Sequence, residues 1–153
     1  MYEEEKNNSI PWLALVAAIV GTIPGIIIWT IVGSLGFTIS LIGALIVAGA
    51  FLAYLKVCTM TNGNAESAVG IIACIIICVI AVYVGVHFEW AGTFHNELKG
   101  TGYELSFGQC VSQLFDLLEL AEVRGDYIGA VLKSYLFSAA GAFTIFSKAA
   151  KRR

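Results

Sequence analysis

Between Ile10 and Leu55 the chain runs for 46 residues without one Asp, Glu, Lys or Arg. As one helix that stretch would be about 69 Å long, roughly twice the hydrocarbon thickness of a bilayer. It must therefore fold back on itself. Val32-Gly33-Ser34-Leu35-Gly36 supplies the turn residues, which predicts one span over 10–31 and a second over 37–55 joined as a tight helical hairpin. Ser9 is a candidate N-cap and Pro11 occupies a first-turn position where the missing N–H is harmless. Pro24 falls inside the first span, where it should kink the helix, and Gly25 adds freedom beside it.

Composition identifies the solvent. The sequence is 58% hydrophobic and 13% charged, whereas about a quarter of a soluble domain is charged. Mean hydropathy is +0.83, so the few polar side chains cannot coat this much apolar mass in water. The partner these numbers imply is a lipid bilayer. A net charge of −2 provides no basic field for nucleic acid. Cysteines at 58, 74, 78 and 110 match neither a disulfide framework nor a structural zinc spacing. Glu3, Glu4 and Glu5 make the N-terminus acidic, unlike the basic start of a signal peptide, so residues 1–9 are expected to remain as a tail.

The polar turn around Asn62-Gly63-Asn64 leads into a third predicted span over 68–88. Its isoleucines and valines together favour insertion by about 3 to 7 kcal/mol. A fourth span is predicted over 127–147, with Asp126 as its N-cap. There Lys133 offsets most of the apolar gain, leaving a sum near zero, so this span needs partners or a snorkelling lysine. The expected fold is all-α: a polytopic membrane helical bundle of four transmembrane helices forming one membrane domain over 10–147, then a basic tail over 148–153.

Orientation follows from the basic residues. Lys6, Lys56, Lys148, Lys151, Arg152 and Arg153 fall on one side and Lys99 and Arg124 on the other, which places both termini in the cytoplasm of a cell-membrane protein. The acidic loop over 91–125 is then external. Within it Ser106 and Gln109 form a capping-box pattern, followed by Phe107, Cys110, Val111, Leu114, Phe115 and Leu118 at helical spacing. This predicts an amphipathic helix over 106–121 that either lies on the membrane surface or covers the end of the bundle, the acidic face favouring the cover.

Small residues recur every fourth position: Ala17, Gly21 and Gly25; Gly36, Ser40, Ala44 and Ala48; Ala130, Ser134, Ser138 and Ala142. In lipid such stripes let helix backbones approach, either within one bundle or between two copies. Lys133, as the one charge inside a predicted span, is a candidate solute contact or proton relay. Its long stem and outer-half position favour the alternative, snorkelling with Asp126 or Glu89 as partner. Tyr83, Glu89 and Tyr135 lie at depths where they could hydrogen-bond it. His87-Phe88-Glu89 and His95-Asn96-Glu97 contain competent metal ligands, but without the spacing of a known site, and no metal is assigned. Cys74 and Cys78 share a helical face and read as small packing residues. Trp12, Trp29 and Trp90 sit near span ends and read as interfacial anchors. No phosphate loop, dinucleotide fingerprint, nucleophile elbow or zinc-protease pattern is present, so neither a cofactor nor an enzyme activity is expected.

Gly21-Thr-Ile-Pro-Gly25 followed by Trp29, Gly33 and Gly36, with the closing segment Asp126 to Phe146, resembles a group of small uncharacterised bacterial multi-span membrane proteins. The resemblance implies a polar loop before the last helix and brings no activity with it. The function expected from the residues is a non-enzymatic structural or accessory membrane component that self-associates or packs with a larger membrane partner. The alternative is a small oligomeric transporter or channel that uses the Pro24 and Gly25 break and Lys133.

Overall fold

A computed structural model describes residues 12–34, 41–61 and 68–150. Gly36 and Ser40, the Ser9 and Pro11 cap, the N-terminal tail and residues 151–153 lie outside them, while 148–150 of the predicted basic tail belong to the last helix. All regular structure among the described residues is helical: α1 (Trp12–Ser34), α2 (Leu41–Met60), α3 (Ala68–Leu98), α4 (Phe107–Ser112), α5 (Leu114–Leu120) and α6 (Arg124–Ala150). Three of these are long and apolar enough to cross a membrane, over Trp12–Gly33, Ile42–Met60 and Ala68–Leu98. α6, with Lys133 in its apolar stretch, is not among them.

The boundaries differ from the sequence reading along the whole chain, and α2 runs to Met60, five residues past its predicted end at 55. α1 is one helical segment through Pro24, whose side chain is exposed, and it continues to Ser34, so Val32, Gly33 and Ser34 of the predicted turn are helical. α3 extends ten residues past the predicted end at 88, to Leu98, and the first part of the predicted loop is its continuation. Gly100 and Gly102 then turn the chain with φ of +85° and +87°, a conformation that side chains disfavour. In place of one helix over 106–121 there are two, separated at Gln113, and the capping box of Ser106 and Gln109 opens the first. α6 begins at Arg124, with Asp126 in its first turn rather than at the N-cap.

Packing follows from how closely the backbones approach. A side chain on Gly21 would strike the backbone of Gly49, and one on Gly49 would strike Gly21, so α1 and α2 touch main chain to main chain. Elsewhere a glycine receives a side chain from the facing helix: Ile46 fills the notch at Gly25, Trp29 covers Gly85, Tyr54 reaches Gly70, Ser138 reaches Gly43 and Ala44 packs on Gly141. The last two contacts lay α6 along α2. Of the stripe residues, Gly21, Gly25, Ala44 and Ser138 thus serve contacts within one chain, whereas Ala48 and Ser134 are only half-buried.

Two apolar clusters result. One joins Trp29, Ile42, Ile46, Val82 and Val86 to Leu114, Leu118 and Tyr127, so α4 and α5 cover one end of the bundle. The other joins Ala14, Ala18, Val47, Ala50 and Tyr54 to Cys58, Cys74 and Cys78 toward the opposite end. The outward faces of the first three helices are rich in exposed isoleucine, valine and leucine, as lipid contact requires. Threonine hydroxyls there are satisfied locally: Thr22 donates to the Ile19 carbonyl at 2.7 Å and Thr30 to that of Ile26 at 2.9 Å.

Gly49→Ala should force α1 and α2 apart and lower stability by about 1 to 3 kcal/mol. Gly129→Ala, at a helical position with open space around it, should be neutral or stabilising. Unfolding of the two variants in mixed micelles would check the contrast.

Candidate functional site

α3 carries His87 and Glu89 two residues apart, and the helix sends them to different neighbours. Glu89 faces α1, where its Oε2 accepts a hydrogen bond from Trp29 Nε1 at 2.6 Å. Gly33, one turn beyond Trp29, leaves room for the Glu89 stem, since a Cβ there would overlap it. Trp29 is only 8% exposed, so it is no interfacial anchor but the donor that holds a carboxyl group inside the bundle. An isolated carboxyl group in an apolar interior is unfavourable, and a committed donor offsets part of that. Trp90 is also turned inward, edge-on to Tyr127 with ring centroids 5.8 Å apart. Trp12 alone of the three is well exposed, at 70%.

His87 faces the cover. Its Nε2 lies 3.1 Å from the Val111 carbonyl, and because a carbonyl only accepts, that nitrogen carries the proton. Nδ1 is then the acceptor for the Tyr127 hydroxyl at 3.4 Å. The helix break at Gln113 explains why a carbonyl in α4 needs an outside donor. Tyr83 and Phe115 close around the imidazole, with ring centroids 6.0 and 5.8 Å from it. Farther along α3, His95 Nδ1 donates to the Leu105 carbonyl at 2.8 Å. Both histidines therefore tie the segment after α3 back onto that helix. Among the described residues no three His, Cys, Asp or Glu side chains are placed to hold a metal.

The cover is apolar underneath. Cys110, Leu114 and Leu118 are fully buried, while Gln109, Ser112, Gln113, Asp116 and Glu119 are exposed. Burial pushes the Cys110 thiol above its usual pKa, which leaves little thiolate near neutrality.

Lys133 is not brought to this site. It is exposed on α6 and has no ion-pair or hydrogen-bond partner among the described residues. Of the groups expected near it, Glu89 is held by Trp29, Tyr135 donates to the Val79 carbonyl at 3.0 Å, and Tyr83 lies against His87. Pro24 and Gly25 do not meet either: Pro24 is exposed, and Gly25 is buried against Ile46. The sequence reading missed Gly33 and the inward direction of Trp29. The signal was available, because Gly21, Gly25, Trp29 and Gly33 follow one another at a spacing of four and so share a face.

Compared with protein families, curated proteins and solved structures, the chain has no match.

Glu89→Leu should strand the Trp29 N–H and lower stability by about 1 to 3 kcal/mol, whereas Glu89→Gln, which keeps an acceptor oxygen, should stay close to the parent. Thermal unfolding followed by tryptophan emission distinguishes the two. Cys110 should react slowly with a maleimide at neutral pH, and His87→Ala, by loosening the cover, should accelerate it, as mass spectrometry of timed samples would record.

Proposed function

We propose that the protein is a non-enzymatic accessory component of the cell membrane that presents the outer face of α6 to a partner membrane helix. The observation that carries this reading is Lys133, exposed and unpartnered among Leu132, Leu136 and Phe137 on that face. An ammonium in an apolar face is unfavourable in lipid unless it snorkels or is paired. A second copy is a poor source of the pair. Glu89 is turned inward onto Trp29, and Asp126 stands seven residues away on the same helix, about 10 Å along it. Two copies related by a two-fold axis would place Lys133 against Lys133. A carboxylate on another protein's helix meets the requirement.

The reading takes α6 as a fourth crossing, supported by its contact along α2 through Gly43, Ser138, Ala44 and Gly141. Both termini are then cytoplasmic, and the α4 and α5 cover is external, as the distribution of lysine and arginine favours. An uninterrupted α1, with Pro24 outside and Gly25 filled, favours packing over a solute path along that helix.

In native membranes solubilised in mild detergent, the wild-type chain should migrate above its monomer mass. Lys133→Leu should insert normally but fall to the monomer, and Lys133→Arg should retain the complex. A Lys133→Leu variant that keeps the larger mass would overturn the proposal, and a complex containing only this chain would replace it with self-association. Sidedness is read from Met60→Cys, since Met60 is 74% exposed while Cys58 is buried, with Gln113→Cys for the other side. The two should label from opposite faces.

A further inference from the structure

α6 lies on α2 through Ser138 against Gly43 and Gly141 against Ala44, but it does not close onto α3 along its length. Tyr135 stands between them as a strut, its hydroxyl donating to the Val79 carbonyl at 3.0 Å. Beside that strut a cavity of about 830 Å³ remains between the three helices. α2 contributes Val47 and Phe51 to its walls, α3 contributes Ile71, Ile75 and Val82, and α6 contributes Ala139 and Ala142.

The cavity is an upright slot. On α3 its walls run from Ile71 to Val82, about 16 Å along the helix axis. The near end lies three residues, about 4 Å, inside the start of α3. Half of the hydrocarbon layer is about 15 Å, so the slot is about as deep as one leaflet. Ile71, Ile75 and Val79 follow one another at a spacing of four, and all three are exposed on the outside of the bundle while they also line the slot. Ala139, from α6, is exposed as well. The slot thus opens sideways, between α3 and α6, into the medium around the helices.

The walls offer an occupant no polar contact. No charged side chain lines them, and their hydroxyls are committed elsewhere: Tyr135 to the Val79 carbonyl, Tyr54 packed onto Gly70 and Ser138 onto Gly43. A carboxylate, phosphate or amide placed there would lose its water without gaining a partner. What enters is therefore hydrocarbon along its whole buried length. Size decides among apolar candidates. A helix about 10 Å across would fill roughly 1,300 Å³ over the same 16 Å, more than the slot holds. Neither a partner's helix nor one of a second copy fits, whereas an extended hydrocarbon chain is thinner and has the length of one leaflet by construction.

We propose that the slot is a binding site for one acyl chain of a bilayer lipid, taken in sideways between α3 and α6 and recognised by its hydrocarbon alone, without selection of the headgroup. The chain enters from the leaflet at the connection between α2 and α3, where Leu55 and Ile71 mark the near end. It supplies between α3 and α6 the dispersion contacts that these helices do not give each other, in place of a void that close-packed interiors avoid.

The test is photolabelling of the full chain in dioleoyl phosphatidylcholine vesicles doped with a phosphatidylcholine that carries a diazirine in the distal half of one acyl chain. Cys78 lines the slot but is only 6% exposed, whereas Leu52 and Ile80 face outward at 67% and 57%. In the wild type, tandem mass spectrometry should find label on Cys78 as well as on the outward residues. A phosphatidylglycerol carrying the same chain should give the same ratio of Cys78 to Ile80 label. Ala139→Phe and Ala142→Phe, which fill the slot, should each remove the Cys78 label and leave that of Ile80, with the melting temperature in detergent unchanged. If one of these variants unfolds the other serves, and the wild type is decisive without either, since label confined to outward residues would overturn the proposal. Cys78 label that persists in a folded, filled variant, or a strong preference for one headgroup, would overturn it too.

Discussion

Lipid tails are as apolar as leucine, so these helices gain nothing from hiding leucine and isoleucine from them, and what holds them together is closeness of approach. Gly21 and Gly49 let two backbones touch, and the other contacts repeat one device in which a glycine on one helix receives a side chain from its neighbour. α1 is fixed to α2 and to α3 this way, α2 to α3, and α6 to α2. The device requires shape to match at single residues. A methyl group added at one notch therefore acts on a whole interface, whereas the apolar outer faces tolerate exchange among residues of similar character.

Polar groups within this frame are placed so that each has a defined partner. Threonine hydroxyls return to their own helices, Glu89 is met by an indole, and His87 and His95 are met by carbonyls left over where the following segment bends. The histidines, whose chemistry first suggests a metal, are instead the means by which a short, irregular cover is fastened to a long helix. Tyr54 and Ser138 depart from this economy. Both border the cavity between α2, α3 and α6, with their hydroxyls packed onto Gly70 and Gly43 of the facing helices.

Much of the fold could be read from the residues because the bilayer allows so few choices. The charge-free stretch forces a hairpin, and the apolar run after Ala68 forms α3 as its composition requires. Less legible was everything decided by direction around a helix. Trp29 near a span end looks like an anchor until the face it shares with Gly25 and Gly33 is drawn. Small-residue stripes pick out Ala44 and Ala48 and pass over the adjoining Gly43 and Gly49, since the spacing runs through the wrong member of each pair. The continuation of α3 to Leu98 escaped because hydropathy falls at His87 and Glu89, while helix formation does not depend on hydropathy. Lys133 stands out in the sequence as the one charge in its span, but its outward direction depends on how α6 lies against α2, which no local pattern records.

The 31 residues of α3 have one further consequence. At about 46 Å it is longer than the hydrocarbon layer of about 30 Å, and it contains no proline at which to bend. One unjointed rod therefore holds the histidine fastenings of the cover, the Glu89 contact with α1 and the Gly70 contact with Tyr54. A push on the cover has no proline joint in which to dissipate, so it passes along the helix as a tilt or a turn of the whole rod. Geometry of this kind makes the two sides of a membrane mechanically continuous through a single helix.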